Sequence, residues 1–354
     1  MDAAAASISG RIREAAEARR PLRLRGGGTK DFYGGAPDGE ILDTRACAGI
    51  VSYEPSELVV SARCGTPLAE LESALDANRQ MLAFEPPHFG AGATLGGCVA
   101  AGLSGPRRAA AGALRDFVLG VRMVDGRGRL LSFGGRVMKN VAGYDVSRLL
   151  AGSLGTLGVL VEVSLKVLPR PVSECTLQLE MPQARAIEAM NRWAGLPLPV
   201  SATAWQDGVL AVRFSGAASA LLEAVKRVGG ERVEGAAMEP FWESIREQTH
   251  RFFPGADPLW RLSVPSAAPP LELPGAQLIE WNGALRWART SAPATAVRAA
   301  ANRGGGHATL FRGSDRSAGV FSSLSPALAR LHRELKAVFD PAGILNRGRL
   351  YAET

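Results

Sequence analysis

The chain has 354 residues, 46% hydrophobic and 21% charged, with a formal net charge of +7. This is the composition of a globular protein of two or three structural units, and it excludes a disordered chain, a collagen-like chain and a disulfide scaffold. The basic residues are nearly all arginine and are scattered, without a long basic run or interleaved aromatics, so no nucleic-acid binding is expected.

In chain order, Ile8, Ile12 and Ala15 recur at helical spacing and predict a short amphipathic helix over residues 3–19. The first ten residues, MDAAAASISG, lack the charged start and apolar core of a signal peptide. No apolar run is long enough to cross a membrane, and a soluble, intracellular protein is expected. PLRLR then reads as a strand running into Gly26-Gly27-Gly28, and ILDT and ELVVSAR read as two more strands. Thr66-Pro67 is a helix start, followed by a buried stripe of Leu68, Leu71 and Leu75. Residues 84–116 are loop-rich and dense in glycine. FVLGVRMVDGRGRLLSF reads as a hairpin about Asp125-Gly126. From Val159 to Val167 the odd positions are aliphatic while Glu162, Ser164 and Lys166 alternate with them, the pattern of a half-buried strand.

The composition changes near Pro169 and Pro171. The next stretch reads strand, helix (183–193), strand, strand, helix (219–228), which suggests an antiparallel sheet with helices on one face. GHATLFR reads as a further strand. A last helix starts at Ser325-Pro326, with Leu328, Leu331, Leu335 and Val338 expected on its inner face. The tryptophans gather in this second half, as core or as interface anchors. Cys47, Cys64, Cys98 and Cys175 form no Cys-x-x-Cys pair. They read as reduced thiols, two or three of them packed inside, with no iron–sulfur or zinc cage and no metal site expected in this chain.

Three glycines directly after a strand cost order unless the backbone must reach positive φ or approach something closely. Consecutive amides in such a turn make a concave anion nest. The sequence has no G-x-x-x-x-G-K-[ST], and no ribose-binding acid follows at the spacing of a dinucleotide-binding βαβ unit.

Three separated stretches together, RGGGTK (Arg25 to Lys30), ATLGGCVAAGLSG (Ala93 to Gly105) and KNVAGYDVSRLLAGSLGTLGVLVEVSLKVLP (Lys139 to Pro169), resemble the FAD-binding domain of the vanillyl-alcohol oxidase/p-cresol methylhydroxylase type. The closing FDPAGILNRGRLY resembles that family's last motif. EPPHFGAGATLGGCVAAGLSGPRRAAAGALRDFVLG and the short second half look like the FAD-binding E subunits of bacterial glycolate oxidases.

The resemblance implies an α+β fold: a two-subdomain FAD-binding domain over 1–170, divided near 53, a small α+β cap over 171–320, and a C-terminal helix and tail over 321–354 returning to the first domain. It implies that the anion is the FAD pyrophosphate, held by Arg25, Gly26, Gly27, Gly28, Thr29 and Lys30 against Thr94, Leu95, Gly96 and Gly97. Gly102, Ser104 and Gly105 would carry the chain past the ring; Gly152, Gly155, Thr156 and Gly158 would pass beside the flavin and adenine side; Val159 would offer backbone groups to the adenine or the ring while packing in the sheet; and Asn346 would be the C-terminal contact. Lys139, Asn140, Tyr144 and Asp145 match a further motif, as a turn or as ligand contacts.

The implied partners are a catalytic flavin subunit, which would carry metal and base, and an iron–sulfur subunit that takes the electrons. A small 2-hydroxy acid is the implied substrate of the complex, and peripheral membrane association would come through those partners. His88, His250, His307 and His332 form no spaced ligand pair, and no catalytic residue is assigned; His88 is placed as a loop cap or as a flavin contact. A self-sufficient 2-hydroxy acid dehydrogenase and a non-redox scaffold remain as alternatives.

Overall fold

The computed structural model describes residues 3–135, 145–233 and 238–352. Lys139, Asn140 and Tyr144 lie outside these. The first helix, Ala3–Glu17, buries Ala5, Ile8, Ile12 and Ala15, the face that its spacing predicts. Leu22–Arg25 pairs in parallel with Glu40–Asp43, and Leu22 also bridges to Leu345 near the C-terminus. The helix Leu68–Asp76 follows Thr66-Pro67 and buries Leu68, Leu71 and Leu75, but Thr66 does not cap it: Pro67 stands at the N-cap and the Thr66 hydroxyl accepts from the Gly49 amide instead.

An antiparallel sheet of five strands follows the order Ile50–Glu54, Val59–Arg63, Val159–Lys166, Val118–Val124, Leu130–Gly134. The last two are the expected hairpin, and the Asp125 carboxylate accepts from the Arg127 and Arg129 amides at its turn. Val159–Lys166 differs from its sequence pattern. It is the central strand, and Leu160 and Ser164 are buried as well as the aliphatic odd positions. Its polar residues are absorbed inside the sheet: Ser164 bonds Ser61 at 2.7 Å, and Glu162 meets Arg122 at 3.1 Å. Cross-strand pairing of this kind lets a polar side chain sit in a covered sheet.

The second half is an eight-stranded antiparallel sheet in the order Glu231–Val233, Ser173–Glu180, Val209–Gly216, Val200–Gln206, Ala276–Glu280, Leu285–Arg289, Leu259–Ser263, His307–Arg312. The helices Gln183–Ala194, Ala218–Val228 and Ala294–Arg303 cover one face, packing on Leu177, Val212, Ile279, Trp260 and Leu262. The opposite face carries Leu259, Leu278, Leu285, Trp287 and Phe311, which meet Tyr33, Ala101, Leu103 and Leu154 of the first half. All six tryptophans are at most 9% exposed, so they are core and not an interface. All four cysteines are buried and none forms a disulfide.

A buried ion cluster joins the halves. Glu85, at φ +47°, accepts from Arg107 at 3.2 Å and from Arg213 at 2.7 Å, and Arg107 also meets Glu174 at 2.5 Å. Burial pushes the Glu174 carboxyl up. The Ser215 hydroxyl with Arg107 and Arg213 outweighs this and holds it below its ordinary value.

The last helix, Pro326–Phe339, is rotated from expectation: of the four leucine and valine positions expected inside, only Leu335 packs against the core. Ser325 caps it as predicted, but Leu328, Leu331 and Val338 are 49%, 49% and 60% exposed. Lys336 and Phe339 face inward instead. The Lys336 ammonium pairs with Asp340 at 2.9 Å and donates to the carbonyls of Thr156 and Leu345. A lysine with all three donors engaged can sit in a core, and here it sets which face of the helix is buried.

Two predictions follow from this packing. Leu331→Ser should change stability by no more than about 0.5 kcal/mol, while Phe339→Ala should cost about 3–5 kcal/mol in urea unfolding. A large loss in the serine variant would mean that the helix is rotated. Because the folded Glu174 pKa is depressed, its contribution to stability is present above its unfolded value of 4.5 and is lost as pH falls through the folded value. Thermal midpoints of the wild type should therefore fall more steeply below pH 4.5 than those of Glu174→Gln.

Candidate functional site

Beyond Arg25 the strand pairing with Glu40–Asp43 stops. The amides of Gly26, Gly27, Gly28, Thr29 and Lys30 find no acceptor among the described residues. Buried or half-buried amides are nearly always paired, so such a run marks a place where something else accepts. Gly28 has φ +75°, and Arg25 folds across it to Asp31. A Cβ on Gly27 would lie 1.5 Å from the Gly92 carbonyl oxygen, and one on Gly26 would lie 2.4 Å from Thr94 Oγ1. The turn therefore presses backbone against backbone at the rim of a cleft.

Thr94, Gly96 and Gly97 line the opposite wall, at the start of the helix Leu95–Ala101, where Thr94 Oγ1 accepts from the Gly97 amide. Gly155, Gly158 and Val159 line a third side together with Leu154 and Leu160. Asn346, at φ +43°, closes the end. Its Oδ1 accepts from the Leu24 amide at 2.7 Å and its Nδ2 donates to the Leu154 carbonyl at 2.6 Å, so it ties the first strand to the 152–158 turn.

The remaining candidates stand elsewhere. Leu95 points into the core. Gly102 and Gly152 meet each other closely, where a Cβ on Gly102 would fall 2.8 Å from Gly152 Cα. The Thr156 hydroxyl turns back to the Ser153 carbonyl. Ser104 and Gly105 line a second, smaller cavity beneath the eight-stranded sheet. Asp145 caps the short helix Val146–Leu149 by accepting from the Arg148 amide.

The cleft carries four cations and one carboxylate. Arg23 and Arg25 share Asp31 at 2.5 and 2.9 Å. Burial lowers the Lys30 pKa, and its ammonium donates to the His88 carbonyl at 3.1 Å. Burial takes Arg349 down to about 10, and its guanidinium clasps the carbonyls of Asp31, Tyr33 and Gly35. Arg349 and Arg23 are not evident in the sequence, because their place depends on a loop and a tail meeting across the whole chain. The sum is a donor-rich, positive channel suited to a polyanion.

His88 lies off the cleft. Its Nε2 is 2.9 Å from Glu72, and the amides of His88 and Phe89 are held by the Glu247 carboxylate, so it caps the loop. His250 packs on Phe241 and His332 on Tyr351. Among the described residues no three His, Cys, Asp or Glu side chains gather as a metal site, and no helix is long and apolar enough to cross a membrane.

Residues 3–134 match the model of an FAD binding domain, and residues 305–350 match the C-terminal domain of FAD linked oxidases. Alkyldihydroxyacetonephosphate synthase has the same fold, with a TM-score of 0.65 at 15% identity over 96% of this chain and 73% of that one. Fold and cleft thus define an FAD-linked oxidase architecture. The chain is 47% identical over 342 residues to glycolate oxidase subunit GlcE of Escherichia coli, covering 97% of this chain and 96% of that one, and it belongs to that family. It is also 33% identical over 187 residues to D-lactate dehydrogenase of Archaeoglobus fulgidus, and 31% identical over 163 residues to glycolate oxidase subunit GlcD of Bacillus subtilis. It spans 41% and 34% of those two longer chains. FAD is the cofactor, and the run of unpaired amides beside a Cβ-excluding contact fits its diphosphate.

Gly27→Ala should therefore lose most of its FAD, read as the ratio of absorbance at 450 and 280 nm. Gly10→Ala is the control: its Cβ meets nothing within 4 Å on the first helix. It should keep the full load and gain up to about 1 kcal/mol in stability.

Proposed function

We propose that the chain is the FAD-binding subunit of a glycolate-oxidising complex, in which glycolate becomes glyoxylate and electrons pass to an iron–sulfur partner. The observation that carries this reading is the run of five unpaired amides from Gly26 to Lys30, closed by the contact of Gly27 with Gly92. A scaffold with no cofactor would gain nothing from a turn that excludes every side chain and leaves its donors unsatisfied. The family supports the assignment to a glycolate oxidase subunit.

In this reading Gly26, Gly27, Gly28 and Thr29 present amides to the diphosphate, and Thr94, Gly96 and Gly97 bound its other side. Arg25 and Lys30 balance its charge from the rim while staying tied to Asp31 and the His88 carbonyl. Gly155, Gly158 and Val159 offer the cofactor backbone groups, and the missing Cβ atoms of the two glycines make room for Asn346 and Met123. Asn346 fixes the distance between the walls. FAD, when bound, supplies an acceptor for two electrons. Leu154 and Ala101 line the cleft and pack behind it against Tyr33 and Phe311. A catalytic flavin subunit and an iron–sulfur subunit are the proposed partners, and any association with a membrane would come through them.

The visible spectrum of the purified chain tests this directly. A flavin band that persists with anaerobic glycolate, and bleaches once the two partner subunits are added, is the expected result. Bleaching by glycolate alone would make the chain a self-sufficient dehydrogenase. No band even after added FAD would overturn the cofactor role.

A further inference from the structure

Residues 85–93 belong to no helix or strand, yet one wall of the cofactor cleft leans on them. The Gly92 carbonyl oxygen is the atom that a Cβ on Gly27 would strike. Gly90 lies against Thr29, where a Cβ would meet Thr29 Cγ2 at 3.4 Å. The His88 carbonyl takes the Lys30 ammonium at 3.1 Å, and that ammonium stands 5.5 Å from the centre of the Phe89 ring. The glycine turn is thus seated on a strap of irregular backbone. The shape of the strap decides where Gly92 and the His88 carbonyl stand.

That shape is held from the cap. Pro86 and Pro87 carry no amide hydrogen, so His88 and Phe89 bring the first donors after Glu85. Glu85 and Phe89 stand at φ +47° and +55°. Left-handed φ in a residue with a side chain is strained and persists where neighbouring contacts impose it. The Glu85 carboxylate is fixed by Arg107 and, from the cap, by Arg213. For the amides of His88 and Phe89 the acceptor among the described residues is a cap side chain alone. Glu247, just past the helix Met238–Arg246, accepts from them at 3.1 and 2.8 Å. Its carboxylate is aimed by Arg246, whose Nε donates to it at 2.8 Å. The strap also borders an open pocket of about 540 Å³ with Glu247 and Arg312 on its rim, so solvent and not packing lies on that side.

We propose that Glu247 is a positioning residue for the cofactor. From the cap it holds the strap in the shape that seats Gly92 on Gly27 and the His88 carbonyl on Lys30, and so it sets the affinity of the cleft for FAD. A carboxylate suits the task because it accepts from two consecutive amides at once, with charge-assisted bonds stronger than those of a neutral acceptor. Without it the two amides turn to water, Phe89 relaxes toward negative φ, and the Gly92 carbonyl leaves the glycine turn. The dependence is reciprocal. FAD that binds the seated turn better than the relaxed one tightens the hold of Glu247 on the strap by the same factor. Whatever shifts the cap on the first half therefore changes flavin retention. The inference rests on the reading of the cleft as the FAD site.

Titration of the flavin-free chain with FAD, followed by quenching of flavin fluorescence well below the unfolding midpoint, tests this. Glu247→Gln keeps the size of the side chain and offers one acceptor oxygen in place of two. Its Kd for FAD should rise on the order of 10-fold, and that of Glu247→Ala on the order of 100-fold. Hydrogen exchange at the His88 and Phe89 amides should slow when FAD binds the wild type, and respond less in Glu247→Gln. A residue that served folding alone would move neither reading. Exchange at these two amides that ignores FAD overturns the proposal. If Glu247→Ala does not fold, Glu247→Gln and the exchange of the wild type decide. A wild-type chain that takes up no FAD sinks the cofactor reading, and this inference with it. A wild type that loads fully while the Glu247 variants load as tightly sinks this inference alone.

Discussion

The closest backbone approach in the cleft, Gly27 against Gly92, is the constraint from which the site is built. With no Cβ on Gly27 the loop after the first strand can lie against the loop before the helix Leu95–Ala101. That contact fixes where the amides of residues 26–30 end. It also fixes where Lys30 can reach, which is the carbonyl of His88. A side chain at Gly27 would separate the two loops and leave the donors aimed at water. The rest of the cleft supports this contact: Arg349 clasps the loop that follows it, and Asn346 braces the strand that precedes it.

The cap is oriented by polar contacts directed at particular groups. Glu85 receives two arginines, one from each half. Glu247 takes the amides of His88 and Phe89, and Trp281 Nε1 donates to the Gly105 carbonyl at 3.0 Å. Arg316 reaches the carbonyls of Phe32 and Gly34. Buried ion pairs contribute little net stability compared with apolar packing. Their effect here is positional, since each has one geometry, whereas the apolar contacts around Phe311 and Leu103 tolerate sliding. The cap is thereby held at a fixed distance over the inner end of the cleft.

Much of this was legible in the sequence, for reasons that are local. The first helix, the hairpin at Asp125, the Thr66-Pro67 start and the helix–sheet order of the second half all follow from periodicity and turn chemistry. The glycine run announced an anion site because glycine after a strand has few other uses. What was not legible depends on contacts between distant segments. Leu328, Leu331 and Val338 have the spacing of a buried stripe, yet the ammonium of Lys336, matched by Asp340 and two carbonyls, turns the helix the other way. Val159–Lys166 reads as half-exposed because its polar residues find partners only across strands. Gly102, Gly152 and Thr156 carry the family pattern but serve the packing of one turn on another.

The first strand is finished by residues 344–346. The Leu22 amide donates to the Ile344 carbonyl, the Asn346 amide donates to the Leu22 carbonyl, and Asn346 Oδ1 takes the Leu24 amide, a separation of 322 residues. A ribosome adding about 5–20 residues per second needs tens of seconds to deliver that tail after the strand has emerged. Through that interval the strand lacks its neighbour on one side, and the glycine turn has no brace. The glycine turn is thus braced only after residues 344–346 have been made, so cofactor capture must wait for a segment more than 300 residues downstream of the turn it stabilises.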